Sequence, residues 1–126
     1  MKRRIILNAI FPGEPIGYKR VEWRGKRARV PELMRKTQER LRTALKKIAP
    51  DLKPTNARLG LQLVFHIGPL CSKFHEPDGD NLEKLFWDAF NGVIWDDDAQ
   101  IEELTGWKVL NSADPRTHAV VYVIER

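Results

Sequence analysis

The sequence predicts an α+β fold in which two main helices pack on a mixed sheet, with elements in the order β-α-β-α-β-β. Three features point there. Leu59, Leu61, Leu63, Phe65 and Ile67 alternate with Gly60, Gln62, Val64 and His66, which is the period of a half-buried strand. Two other stretches, one starting near Leu33 and one near Leu82, repeat apolar residues at spacings of three and four, as amphipathic helices do. Short apolar runs at Ile5–Phe11 and Ala119–Ile124 have the length of strands.

Taken in order, Ile5–Phe11 is rich in isoleucine, ends at Pro12-Gly13, and reads as a buried strand. Tyr18–Val30 has no clean period and reads as a basic loop or ragged hairpin. Pro31 suits the first position of a helix whose stripe is Leu33, Thr37, Leu41, Leu45 and Ile48, and Pro50 stops it. Its other faces carry Arg35, Lys36, Arg40, Arg42, Lys46 and Lys47, a solvated surface. After the alternating strand, Gly68–Asp80 reads as a loop leading into a second helix with Leu82, Leu85, Phe86, Ala89 and Phe90 on one side. Asn91-Gly92 ends that helix, because both residues accept the left-handed conformation. Gln100–Leu110 and Ala119–Ile124 read as two more strands joined through the turn-forming Asn111–Arg116. The last is apolar on both faces, as a central strand is.

A chain of 126 residues is long enough for one core, so a single domain spanning 1–126 is expected. Its 42% hydrophobic and 31% charged residues set aside the disordered and membrane-spanning classes. No apolar run approaches the roughly 20 residues that cross a bilayer, and Met1–Arg4 followed by Ile5–Phe11 has too short an apolar stretch and no small-residue cleavage site for a leader, so a cytoplasmic location is expected. The single cysteine, Cys71, agrees with a reducing compartment. A net charge of +5 favours a polyanionic partner, and its distribution says more. Lys19, Arg20, Arg24, Lys26, Arg27 and Arg29 cluster against one acid, Glu22, with Tyr18 and Trp23 interleaved. Such a stretch can grip backbone phosphates and stack on unpaired bases, or serve only as a solubilising loop. From Glu76 to Glu103, by contrast, ten acids face one base, Lys84.

The chemistry concentrates in that acidic stretch. Pro77 and Gly79 fix a non-helical entry that lets Asp78 and Asp80 address one site, with Asp80 also placed to cap the helix. The apolar stripe sends Lys84 and Asp88 to the opposite side, one turn apart, and Asp96, Asp97 and Asp98 follow the helix. Singly, each has an ordinary explanation: a cap, an i,i+4 ion pair, a solvated loop. Together, the like charges repel unless a cation offsets them, and oxygen-only ligands select Mg²⁺ or Mn²⁺. Two such ions can hydrolyse a phosphodiester. An EF-hand is excluded, since Leu82, Glu83 and Ala89 occupy positions that require a ligand, a glycine and a bidentate acid. Cys71, His66, His75 and His118 lack zinc-site spacing.

The run PDGDNLEKLFWDAFNGVIWDDDAQIEEL resembles the signature of the RusA family of Holliday-junction resolvases, in which Asp-x-Asp-Asn-x-x-Lys opens a helix and Asp-Asp-x-Gln follows it. The resemblance implies a homodimeric, Mg²⁺-dependent endodeoxyribonuclease that cuts four-way DNA junctions in recombination or repair, of a kind common in phages and prophages. It places the metal-binding and catalytic acids on Asp78, Asp80 and Asp98 and the functional lysine on Lys84. Asp96 is an extra acid, which leaves Asp97 and Asp98 open to exchange of roles. The arginine cluster that the family can carry before its first motif is replaced here by Lys73, Phe74, His75 and Glu76. Two rival readings stand beside this one: a non-catalytic basic nucleic-acid-binding module, and an interaction domain anchored by Trp87, Trp95 and Trp107. Trp87, on the polar side of its helix, is the candidate dimer contact.

Overall fold

Period-two and period-3.6 patterning become four sheet strands and two long helices. The structure, a computed structural model, describes residues 1–18, 22–24, 27–29, 32–74 and 76–126, with the backbone alone at 22–24, 27–29 and 74. The elements are β1 (Lys2–Pro12), β2 (Glu22–Arg24), β3 (Arg27–Arg29), α1 (Glu32–Ile48), β4 (Leu59–His66), α2 (Pro69–Phe74), α3 (Gly79–Phe90), β5 (Ile101–Val109) and β6 (Arg116–Glu125). The sheet order is β1-β6-β4-β5, with β6 antiparallel to both neighbours and β4 parallel to β5. This is the expected α+β architecture with a mixed sheet. Parallel neighbours cannot be joined by a hairpin, so α2 and α3 fill the crossover from β4 to β5.

Several expectations need correction. β1 is an edge strand with one solvated face: Leu7, Ala9 and Phe11 are buried while Ile5 and Ile10 stay more than half exposed. On α1 the buried residues are Met34, Thr37, Leu41 and Leu45, whereas Leu33 and Ile48 are exposed. At roughly 100° per residue, Met34 points between Thr37 and Leu45, and Leu33 falls to the side. Part of the expected 68–80 loop is helical, as α2. The N-cap position of α3 is held by Asp78, with Asp80 in the first turn. At the other end only Gly92 takes a positive φ, of 79°, while Asn91 is extended. The last two strands, β5 and β6, are linked by the expected turn at Asn111 (φ 56°) but do not pair, because β4 lies between them. Within the basic stretch, Glu22–Arg24 and Arg27–Arg29 pair antiparallel as β2 and β3, in keeping with the hairpin alternative.

The stripe of α3 is buried in full: Leu82, Leu85, Phe86, Ala89 and Phe90 join the odd-numbered residues of β4 in one cluster with α1 and β1. Phe11, Phe86 and Phe90 interlock there, with ring centroids 4.8 to 5.7 Å apart. Burying this side of α3 commits its opposite side to the surface, where Asp80, Lys84 and Asp88 recur every fourth residue. On the sheet side away from this core, Tyr122 of β6 reaches across Gly60 of β4 and donates to Glu103 of β5 at 2.5 Å, and Arg3 of β1 donates to the same carboxylate. A side chain at position 60 would occupy the space of the Tyr122 ring. Among the described residues, no helix is long and apolar enough to cross a membrane.

Candidate active site

The first acidic motif begins where α3 begins. Asp78 is extended at the N-cap (φ −64°, ψ 139°), and its side chain makes no cap hydrogen bond, so its carboxylate is not consumed by the helix end. Asp80 lies exposed in the first turn, where the helix dipole favours a negative charge. The loop before it is tied to β5: the Lys108 ammonium pairs with Glu76 at 3.1 Å and donates to the Pro77 carbonyl at 3.2 Å. The chain that leads to the basic ribbon is tied to the same place. The Tyr18 N–H donates to the Asn81 carbonyl at 2.8 Å, and the Lys84 ammonium stands 4.1 Å from the centroid of the Tyr18 ring. Among the described residues, no ion pair joins Lys84 to Asp80 or Asp88 within 4.0 Å, so the simple i,i+4 explanation of this lysine is not realised.

The second motif is held in a single turn of 3-10 helix, Asp98–Gln100. Asp97 is its N-cap and accepts a hydrogen bond from the Ala99 N–H at 3.0 Å. Gln100 is buried and completes a capping box: its Oε1 accepts from the N–H groups of Asp96 and Asp97 at 2.9 and 2.8 Å. Asp98 has a different environment. Half-buried, it accepts a 3.1 Å hydrogen bond from the indole N–H of the fully buried Trp95. It lines an open pocket of about 230 Å³ with Trp87 of α3 and Ile101, Glu102 and Leu104.

Electrostatics link the two motifs. Burial pushes the Asp88 carboxyl above the usual carboxylate range, the charge of Asp98 adds to the rise, and Lys84 and the Trp87 indole oppose it. Burial also raises Glu83, which lies against Gly106 of β5, and nearby Asp80 raises it further. The acids therefore pair off, Asp88 with Asp98 and Glu83 with Asp80. Among the described residues, no three Asp, Glu, His or Cys side chains form a group able to hold a metal ion. The expected convergence of Asp78, Asp80 and Asp98 on one ion is thus not present in this arrangement, although the donors are of the hard oxygen type that Mg²⁺ prefers.

A stability prediction follows for Asp88. A carboxyl whose folded pKa is raised contributes its full stability below the ordinary carboxylate range and loses it as pH rises through the raised value. Asp88→Asn should therefore raise Tm at neutral pH, with the gain vanishing in acid. Melting curves at neutral and acid pH check this, and a neutral-pH Tm at or below wild type would count against a carboxyl raised by burial and by Asp98.

The sequence places Asp88 on the same helix face as Lys84 without marking it as part of the site; its spacing of four from Lys84 and eight from Asp80 is the available signal. The tie between Tyr18 and α3 had no local signal. Lys19, Arg20 and Lys26 lie outside the described residues, as do the side chains of Arg24, Arg27 and Arg29 and all of His75. Trp87 is half-buried beside Asp98.

Fold and site together define a class: small basic α+β proteins in which the surface of one helix and the turn after it carry carboxylates and a lysine. Within that class, the chain belongs to the RusA endodeoxyribonuclease family, whose model, described as Endodeoxyribonuclease RusA, matches residues 12–122. No curated protein matches it.

Proposed function

We propose that this protein is a structure-selective endodeoxyribonuclease that resolves four-way DNA junctions by symmetric phosphodiester hydrolysis in recombination or repair, with Mg²⁺ or Mn²⁺ as the required ion. Family membership supplies the reaction class. The observation that carries the assignment to this surface is the placement of Asp98, from the turn after α3, in one pocket with Trp87 and in electrostatic reach of Asp88, on the helix that bears Asp80 and Lys84. Asp78, Asp80 and Asp98 are the proposed catalytic carboxylates and metal ligands. Lys84 is the proposed cation for the charge that develops on the phosphate or leaving oxygen. A hard divalent ion is the partner that oxygen donors select, and it would offset the repulsion of Asp98 with Asp88 and of Asp80 with Glu83.

Tyr18 is held against α3 and the basic stretch follows it directly in sequence, which supports a role for Lys19, Arg20, Arg24, Lys26, Arg27 and Arg29 in holding DNA phosphates. Two symmetric cuts call for two sites related by a twofold axis, so the active form proposed is a homodimer.

The deciding experiment is incubation of wild type and Asp80→Asn with a synthetic four-way junction, with Mg²⁺ or with a chelator. Wild type should make paired symmetric cuts only with the metal. Asp80→Asn should bind the junction yet cleave it more than about 100-fold more slowly, since even outer-shell partners of a metal are worth roughly 10- to 100-fold. Equal cleavage by the variant, or cleavage in chelator, would exclude the proposal. Binding without cleavage by wild type in both conditions would favour a non-catalytic nucleic-acid-binding module.

A further inference from the structure

We propose that Trp95 is a positioning residue for Asp98, acting on a turn that Gln100 staples in place; this deepens the nuclease reading above and rests on it. A single turn of 3-10 helix has few backbone hydrogen bonds of its own with which to aim a side chain. Here the aim comes from outside the turn. The Gln100 Nε2 donates to the carbonyls of Thr55 and Ala57, each at 2.8 Å, while its Oε1 accepts from Asp96 and Asp97. Two donations from one end and two acceptances at the other are the full capacity of a carboxamide, and no other side chain offers that set. Two backbone hydrogen bonds strengthen the same joint, Thr55 N–H to the Ile94 carbonyl at 3.0 Å and Asp96 N–H to the Thr55 carbonyl at 3.2 Å.

With the backbone held, the three consecutive acids have separate fates. Asp96 is exposed, and Asp97 spends its carboxylate on the cap. Asp98 alone lines the pocket, and its Oδ1 accepts from the Trp95 indole. Trp95 is completely buried, so its N–H is a fixed donor that cannot follow a wandering carboxylate. One oxygen of the carboxylate that lines the pocket with Trp87 is thereby pinned. A preset orientation is worth rate, because a group that must first be ordered contributes less in the transition state.

The test replaces Trp95 with 3-benzothienylalanine, which keeps the bicyclic shape and carries sulfur in place of the N–H. Losing a hydrogen bond to a charged group should lower kcat for junction cleavage by roughly tenfold, with KM, metal-free junction affinity and Tm close to wild type. Trp95→Phe should show the same kcat loss with a lower Tm, and Ile94→Val, a neighbouring core change, should lower Tm while leaving kcat alone. Wild-type kcat in the benzothienyl protein overturns the proposal. So does an Ile94→Val kcat that falls in proportion to its Tm, which would assign the effect to packing. If Asp98→Asn itself cleaves like wild type, the catalytic role of Asp98 fails, and that outcome is separate from a failure confined to Trp95.

Discussion

Asp98→Asn should cut junction cleavage by more than about 100-fold while leaving junction binding and Tm intact. Asparagine keeps an oxygen that can accept from the Trp95 indole, so the turn has no reason to move. What disappears is a negative charge in the pocket shared with Trp87. Its loss also relieves Asp88, whose carboxyl is raised by burial and then by Asp98, so the folded state should be at least as stable as wild type. Asp97→Asn is the matched comparison, because an amide oxygen can still accept from the Ala99 N–H and keep the cap. Single-turnover cleavage of an end-labelled junction, run with melting curves, measures both. A rate within a few-fold of wild type for Asp98→Asn, with a dead Asp97→Asn, would transfer the role to the neighbouring acid.

The largest stability effect is expected at Gly60. Gly60→Val places a branched side chain where the Tyr122 ring lies, on a strand flanked on both sides. The ring cannot simply swing out, since its hydroxyl is bonded to Glu103, which is also held by Arg3. The same contacts leave their mark on the charges: hydrogen bonds from Arg3 and Tyr122 hold the Glu103 carboxyl below its usual range. Overpacking of this kind costs about 1–3 kcal/mol, and loss of the cross-strand network adds to it. Urea unfolding should show a lower midpoint with an unchanged slope. On a Tyr122→Ala background the same Gly60→Val change should cost much less, because the obstacle is gone. An equal cost in both backgrounds would place the effect elsewhere.

Periodicity carried most of the fold. The stripe of α3 is buried residue for residue, and the odd positions of β4 face the core, because one surface of each element must leave water. The pattern was weaker where it competed with chain ends. Leu33 looked like core by spacing, yet Met34 takes that place at the start of α1. Pro69–Phe74 spans fewer than two turns, too short for a helical repeat to show, so α2 read as loop. Strand order was not legible at all, since the turn at Asn111 suits neighbours and non-neighbours equally. The site divides in the same way. Asp80, Lys84 and Asp88 share a helix face that the apolar stripe dictates. The different surroundings of Asp97 and Asp98 depend on the buried indole of Trp95, three residues before Asp98, and on a carboxamide that reaches back 45 and 43 residues to Thr55 and Ala57; neither the direction of the indole nor so distant a contact shows in local spacing.

The position of β6 between β1 and β4 has a kinetic consequence. Ribosomes deliver residues 116–125 after every other strand of the sheet, yet Leu7 pairs with Val121, and Leu61 pairs with that same residue. Until this segment emerges, β1 and β4 have no common neighbour, and their ladder edges stay open to foreign strands. Closure must then bring together segments separated by most of the chain, which makes folding slow for a protein of this size and concentrates the aggregation risk in nascent or C-terminally shortened chains.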